Sequence, residues 1–139
     1  MEALKLSELN MTLPFFDTTI PAGLPSPALD YEPEEIDLSR ILQPNPHQSF
    51  IIRVKGDSMT EAHIPDGCLA VVDRSIRPST GDIIVAVLNG EFTIKRLVKA
   101  GRNWVLHPEN PFYKPIVITE EADFQVWGVI TAVIVDMRK

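Results

Sequence analysis

Cysteine is almost missing from this chain: Cys68 stands alone among 139 residues. That excludes an intrachain disulfide framework and any multi-cysteine metal site. Cys68 lies in an apolar stretch and reads as a buried, inert thiol. Long hydrophobic runs are missing too. No segment approaches the roughly 20 apolar residues of a membrane-spanning helix, and the N-terminus lacks the basic-then-apolar pattern of a secretory signal. A cytoplasmic protein without membrane attachment is expected. Basic residues are outnumbered, 13 Lys and Arg against 19 Asp and Glu, for a net charge of −6. Gripping a phosphate backbone needs clustered Lys and Arg, so a protein partner is expected and direct binding of duplex DNA is not. His47, His63 and His107 are far apart in sequence with no ligand spacing, and each reads as a surface or turn residue.

What the chain does have is organised around Gly56-Asp57-Ser58-Met59, which ends the apolar run Phe50-Ile51-Ile52-Arg53-Val54-Lys55. The run alternates as a β-strand does, with Phe50, Ile52 and Val54 on one face. Gly56 lets the backbone turn and present a small hydroxyl residue at the strand exit. Downstream, Glu91–Leu97 reads as another strand and carries Lys95 beside the apolar Ile94, so that the two point to opposite faces. A serine is a poor nucleophile until a base takes its proton, and a desolvated lysine can be that base. At an unperturbed pKa of about 10.4, only on the order of one lysine in a thousand or more is neutral at pH 7. Burial would have to supply the base. The competing reading is a turn serine that bonds locally and a lysine on a solvated strand face.

The rest of the chain suits one domain plus an arm. In the arm, Leu4, Leu6, Leu9 and Met11 fit a short helical turn or a docking strand. Pro14, Pro21, Pro25, Pro27 and Pro33 then break regular structure. Phe15, Phe16 and Ile20 give the arm more apolar character than a disordered tail, which points to a surface for it to bind, against the alternative of a frayed terminus. Pro33 followed by Glu34 and Glu35 predicts a short helix over 34–43, ended by Pro44 and Pro46. No helix-turn-helix pattern fits before the first core strand. Strands are expected at 50–56, 68–73, 82–88, 91–98, 103–107 and 124–135. Asn89-Gly90 is the strongest hairpin signal, a two-residue turn favouring positive φ at both positions. Residues 59–64 fit one helical turn whose amides could bind an oxyanion. The apolar stretch Phe124–Val135 is either a long bent strand or one that pairs in part with another subunit.

Several blocks, in order and in register, resemble the LexA/UmuD autopeptidases. They are Gly56-Asp57-Ser58-Met59, Ile64-Pro65-Asp66-Gly67, Gly81-Asp82-Ile83-Ile84, Phe92-Thr93-Ile94-Lys95-Arg96-Leu97, and His107-Pro108-Glu109-Asn110 with Tyr113-Lys114-Pro115-Ile116. The short arm and Gly23–Tyr31 resemble the UmuD branch rather than the repressors. The resemblance implies a mainly β, LexA-like peptidase domain of twisted antiparallel strands over 41–139, with a flexible, cleavable N-terminal arm and linker over 1–40. It implies a Ser–Lys dyad: Ser58 as nucleophile, neutral Lys95 as general base, and the backbone N–H groups of Asp57 and Ser58 as oxyanion hole. Ala22–Gly23 is the implied scissile bond, within Ile20-Pro21-Ala22-Gly23-Leu24-Pro25. A small residue before glycine suits a shallow pocket and a close backbone approach. Ala stands there as in the repressors, where UmuD proteins often have Cys. The implied partners are the RecA–single-stranded DNA filament, a UmuC-type polymerase in SOS mutagenesis and translesion synthesis, and a second copy in a homodimer. No cofactor and no metal are implied. Two alternatives from other classes are a protease that cuts other proteins, as a signal peptidase does, and a non-catalytic β interaction module.

Overall fold

A computed structural model of the chain describes residues 3–5, 12–16, 20–25, 27, 32–42, 45 and 47–138. Ten strands carry it: β1 (Ala3–Lys5), β2 (Thr12–Phe15), β3 (Glu34–Asp37), β4 (Ser49–Arg53), β5 (Leu69–Asp73), β6 (Ile83–Leu88), β7 (Glu91–Ala100), β8 (Asn103–His107), β9 (Ile116–Val117) and β10 (Phe124–Ile134). Eight of them form one sheet in the order β1-β4-β5-β10-β6-β7-β8-β9, while β2 and β3 form a separate ribbon. Every pairing is antiparallel. The mainly β expectation therefore holds, and the six expected strands are all present with ends shifted by at most three residues, the largest shift being at the end of β4.

The alternation in β4 does what the sequence implied. Ile52 and Val54 are buried with Met59, Ile64, Val72 and Val85 in one core cluster, and Phe50 tilts against Trp127. A second cluster joins Ile84, Ala86, Leu97, Leu106 and Val129. The hairpin between β6 and β7 turns at Asn89 and Gly90, with φ of 49° and 82°, the double-positive geometry that Asn-Gly favours. That turn sets a register in which Lys95 stands opposite Ile84. The last strand is the long bent one: β10 runs between β5 and β6, and its register shifts at Val126/Gly128 and at Ile130/Ala132. Such bulges let an 11-residue strand follow the sheet's curvature.

The helix expected over 34–43 is half right. Residues Glu34–Asp37 are extended and pair with Thr12–Phe15, and only Leu38–Leu42 forms a helix, α1. The start signal lies at Asp37, whose Oδ1 accepts the Ser39 N–H at 3.1 Å and the Ser39 hydroxyl at 2.6 Å. A side-chain oxygen in that position satisfies an orphan donor of the first turn. Pro33 and the glutamates after it mark the entry to a strand, because a partner strand upstream outweighs the local preference. In the arm, β1 pairs with β4, which favours the docking strand over the helical turn. Leu6, Leu9, Met11, Tyr31, Pro44 and Pro46 lie outside the described residues. Phe15, Phe16 and Ile20 are exposed.

Candidate active site

The chain leaves β4 through two further ladder bonds. Val54 N–H donates to the Cys68 carbonyl and Gly67 N–H to the Val54 carbonyl, each at 2.9 Å. At Gly56 the backbone enters the left-handed region, φ 102°, where a side chain would be strained. The Gly56 N–H is taken by Asp66 Oδ1 at 2.7 Å, so the Ile64–Gly67 block braces the turn before the serine. Beyond it, Met59 and Ile64 are both buried and anchor the two ends of a 3-10 turn, Thr60–Ala62. Ser58 is thus presented at a partly buried position between a braced glycine and an anchored methionine.

Lys95 comes to Ser58 from β7. Its side chain is buried, 8% exposed, and Nζ lies 3.0 Å from Ser58 Oγ, 2.9 Å from Thr93 Oγ1 and 2.9 Å from the Ile94 carbonyl oxygen. These three partners match in number the three directions left on a tetrahedral amine. The Ile94 carbonyl can only accept, and the Thr93 hydroxyl can also accept. When the amine is neutral, its two N–H bonds satisfy those two groups, and the lone pair is left facing Ser58. Desolvation by burial lowers the Lys95 pKa from the ordinary lysine value, in the direction a general base requires. Cys68, by contrast, is buried as expected, and desolvation raises its thiol pKa, away from the reactive thiolate.

A cleft of about 330 Å³ opens beside the pair. Its walls include Val54, Gly56, Met59, Phe92 and Ile94, with Ser58 and Lys95 in the lining. None of Ile20–Pro25 lines it. Ala22 and Gly23 are exposed, as are Ile20 at 85% and Leu24 at 88%. The two catalytic candidates are brought together and the candidate scissile segment is not docked between them. Gly23 has no strained φ, and a Cβ there would meet nothing within 4 Å. Any need for glycine at that position arises only on docking.

The turn amides correct one expectation. Thr60 N–H donates to the Asp57 carbonyl, Glu61 N–H to the Glu109 carbonyl, Ala62 N–H to that of Met59 and His63 N–H to that of Thr60. These are spent within the fold. Among the described residues, the N–H groups of Asp57 and Ser58 donate to no protein acceptor. His47, His63 and His107 are all exposed, as expected of surface or turn residues.

Sequence reasoning missed three contributors. Thr93 lies two residues before Lys95 on the same strand face, a spacing that could have found it. Asn110 Nδ2 donates to the Asp57 carbonyl at 2.8 Å, and the Tyr113 hydroxyl donates to Asp57 Oδ1. Those two come from a loop distant in sequence, and no local signal announces them.

Residues 14–131 match the Peptidase S24-like family. The chain is 46% identical over 123 residues to protein SamA of Salmonella typhimurium, covering 88% of this chain and 85% of that protein. It is 37% identical over 120 residues to protein MucA of Escherichia coli, covering 86% and 82%. It is 46% identical over 85 residues to LexA repressor 2 of Pseudomonas syringae pv. tomato, covering 61% of this chain and 42% of that protein. The chain belongs to the peptidase S24-like family, in its LexA/UmuD group, as the motif blocks from Gly56 to Ile116 implied.

Proposed function

We propose that this chain is a serine endopeptidase of the Ser–Lys type that cuts its own arm between Ala22 and Gly23. The observation that carries the reading is the 3.0 Å approach of a buried Lys95 to Ser58 at the mouth of a cleft. In the reaction, Lys95 Nζ takes the Ser58 proton as Oγ attacks the Ala22 carbonyl carbon. The N–H groups of Asp57 and Ser58 receive the oxyanion. The protonated lysine then returns the proton to the Gly23 nitrogen as the peptide bond breaks, and a water activated by the same lysine releases the acyl group from Ser58. No metal or cofactor is required for these steps.

Docking must precede chemistry, because the segment lies outside the cleft. The RecA–single-stranded DNA filament would act by favouring the docked conformer, a population shift and not new chemistry. On this reading residues 1–40 are arm and linker, 41–139 the peptidase domain, and the trimmed form works in the cytoplasm as a homodimer with a UmuC-type polymerase in SOS mutagenesis. Support comes from family membership and from relatives matched over most of their length. The test is incubation of the purified chain with and without the filament, followed by intact-mass analysis and N-terminal sequencing. The expected product begins at Gly23 and ends at Lys139, and Ser58→Ala yields none. A different new terminus, or cleavage by Ser58→Ala with trace protease excluded, overturns the assignment.

A further inference from the structure

We propose that Asn110 is a positioning residue that aims the Ser58 N–H at the oxyanion; the inference rests on the peptidase reading above. A trans peptide is planar, and its C=O and N–H point in opposite directions. No cis peptide bond occurs among the described residues. The Asp57 carbonyl and the Ser58 N–H belong to one such plane, so whatever holds the first fixes the direction of the second. Asn110 Nδ2 holds it at 2.8 Å, the shorter of its two contacts, the Thr60 N–H being the other at 3.4 Å. The assignment of the amide is unambiguous, because Asn110 Oδ1 accepts the Phe112 N–H at 2.9 Å and only the NH2 can face a carbonyl. Asn110 is itself 9% exposed, so water does not readily replace it.

The neighbouring contacts make the hold specific. The next carbonyl, that of Ser58, accepts the Glu109 N–H at 2.9 Å. The Asp57 carboxylate is tied by Tyr113. One loop therefore grips the serine turn from the carbonyl side, while the Ser58 N–H on the other side donates to no protein acceptor among the described residues. Gly56, with its φ of 102°, leaves the turn free to rotate a peptide plane if the grip is lost.

Asn110→Asp separates this role from loop support. The aspartate keeps an oxygen for the Phe112 N–H but presents a second oxygen, not a donor, to the Asp57 carbonyl. Losing one oxyanion donor lowers rates by roughly 10²–10³-fold, so the plateau rate of arm loss should fall by about 10²-fold in Asn110→Asp. In Asn110→Ala, which adds no charge, the rate should fall as well, and the pH midpoint, which reports Lys95, should stay where it is in the wild type. An Asn110→Asp rate within about twofold of wild type, far short of the loss of one donor, overturns the proposal. A fall in Asn110→Ala accompanied by a midpoint moved toward the ordinary lysine value also overturns it, because the loop would then be supporting the whole dyad. Phosphonylation of Ser58 by a fluorophosphonate, with fluoride leaving, is followed by mass on the same variants. Its phosphoryl oxygen uses the same hole, so equal labelling of wild type and Asn110→Asp overturns the proposal even if the arm is never cut. Absence of wild-type arm loss alone counts against the cleavage reading instead.

Discussion

Arg96 Nε lies 2.5 Å from Glu109 Oε1, and that pair joins the strand carrying Lys95 to the loop that grips Ser58. Arg96 follows Lys95 on β7 and so projects from the other face, where it also donates to the Gly81 carbonyl. Glu109 gives its N–H to the Ser58 carbonyl and takes the Glu61 N–H on its own. The pair is partly exposed, and exposed ion pairs contribute little. Arg96→Ala should thus cost only about 1 kcal/mol of stability, yet slow arm loss more than that figure implies. Denaturant midpoints and cleavage rates measured on the same protein check this; parallel losses in both would contradict it.

Burial of Lys95 sets both a pH–rate profile and a pH–stability profile. Its folded pKa is depressed below the unfolded value by desolvation. The folded state therefore binds fewer protons between the depressed value and the ordinary lysine range. Stability should rise with pH across that window and be lowest, with respect to this group, below it. Arm loss without the filament should rise with pH and level off at the same depressed value. Lys95→Met should melt higher than wild type at neutral pH and be inactive. A flat rate profile in folded protein, or a lower melting point for Lys95→Met, would count against a strained, titrating base.

Thr93→Val keeps the side-chain shape and deletes the hydroxyl 2.9 Å from Lys95 Nζ. The lysine then loses one of the two contacts that aim its lone pair. Arm loss should slow roughly tenfold, the equivalent of one hydrogen bond, with little change in melting point. Thr93→Ser should restore most of the rate.

Gly128 tests the fold apart from the site. A Cβ there would lie 2.5 Å from Val72 Cγ1 and 3.3 Å from the Asp73 carbonyl oxygen. Gly128→Ala should destabilise by about 1–3 kcal/mol, the usual cost of overpacking, read from the denaturant midpoint. An unchanged midpoint would mean that β10 shifts freely at its bulge.

Legibility follows distance along the chain. The Asn89-Gly90 turn and the alternation of Ile52 and Val54 are local, and both are readable from residue order. Ser58 and Lys95 are 37 residues apart, and burial, which lowers the lysine pKa, needs the packed sheet. The family blocks point to the pair, whereas spacing alone leaves a solvated lysine equally open. Glu34–Asp37 carry helix-start signals yet form a strand, because their partner lies at Thr12–Phe15. Asn110 and Tyr113 stand inside a motif block that gives them no role by itself. They meet a backbone carbonyl and a carboxylate of Asp57 across the fold, and periodicity does not register such contacts.

The two ladders of the arm would govern the fate of a peptide cut at Ala22–Gly23. Residues 3–5 are zipped to β4 and residues 12–15 to β3, and the Ala22–Gly23 bond lies downstream of both. Hydrolysis there would nick the chain without freeing the severed peptide, which stays laced to the body by seven paired residues. Shedding would be a separate, slower event, governed by how fast those short zippers fray. Until then the β4 rim stays covered, and mass spectrometry under denaturing conditions would report a finished product while gel filtration still showed the fragment travelling with it. Conversion and liberation would run on different clocks.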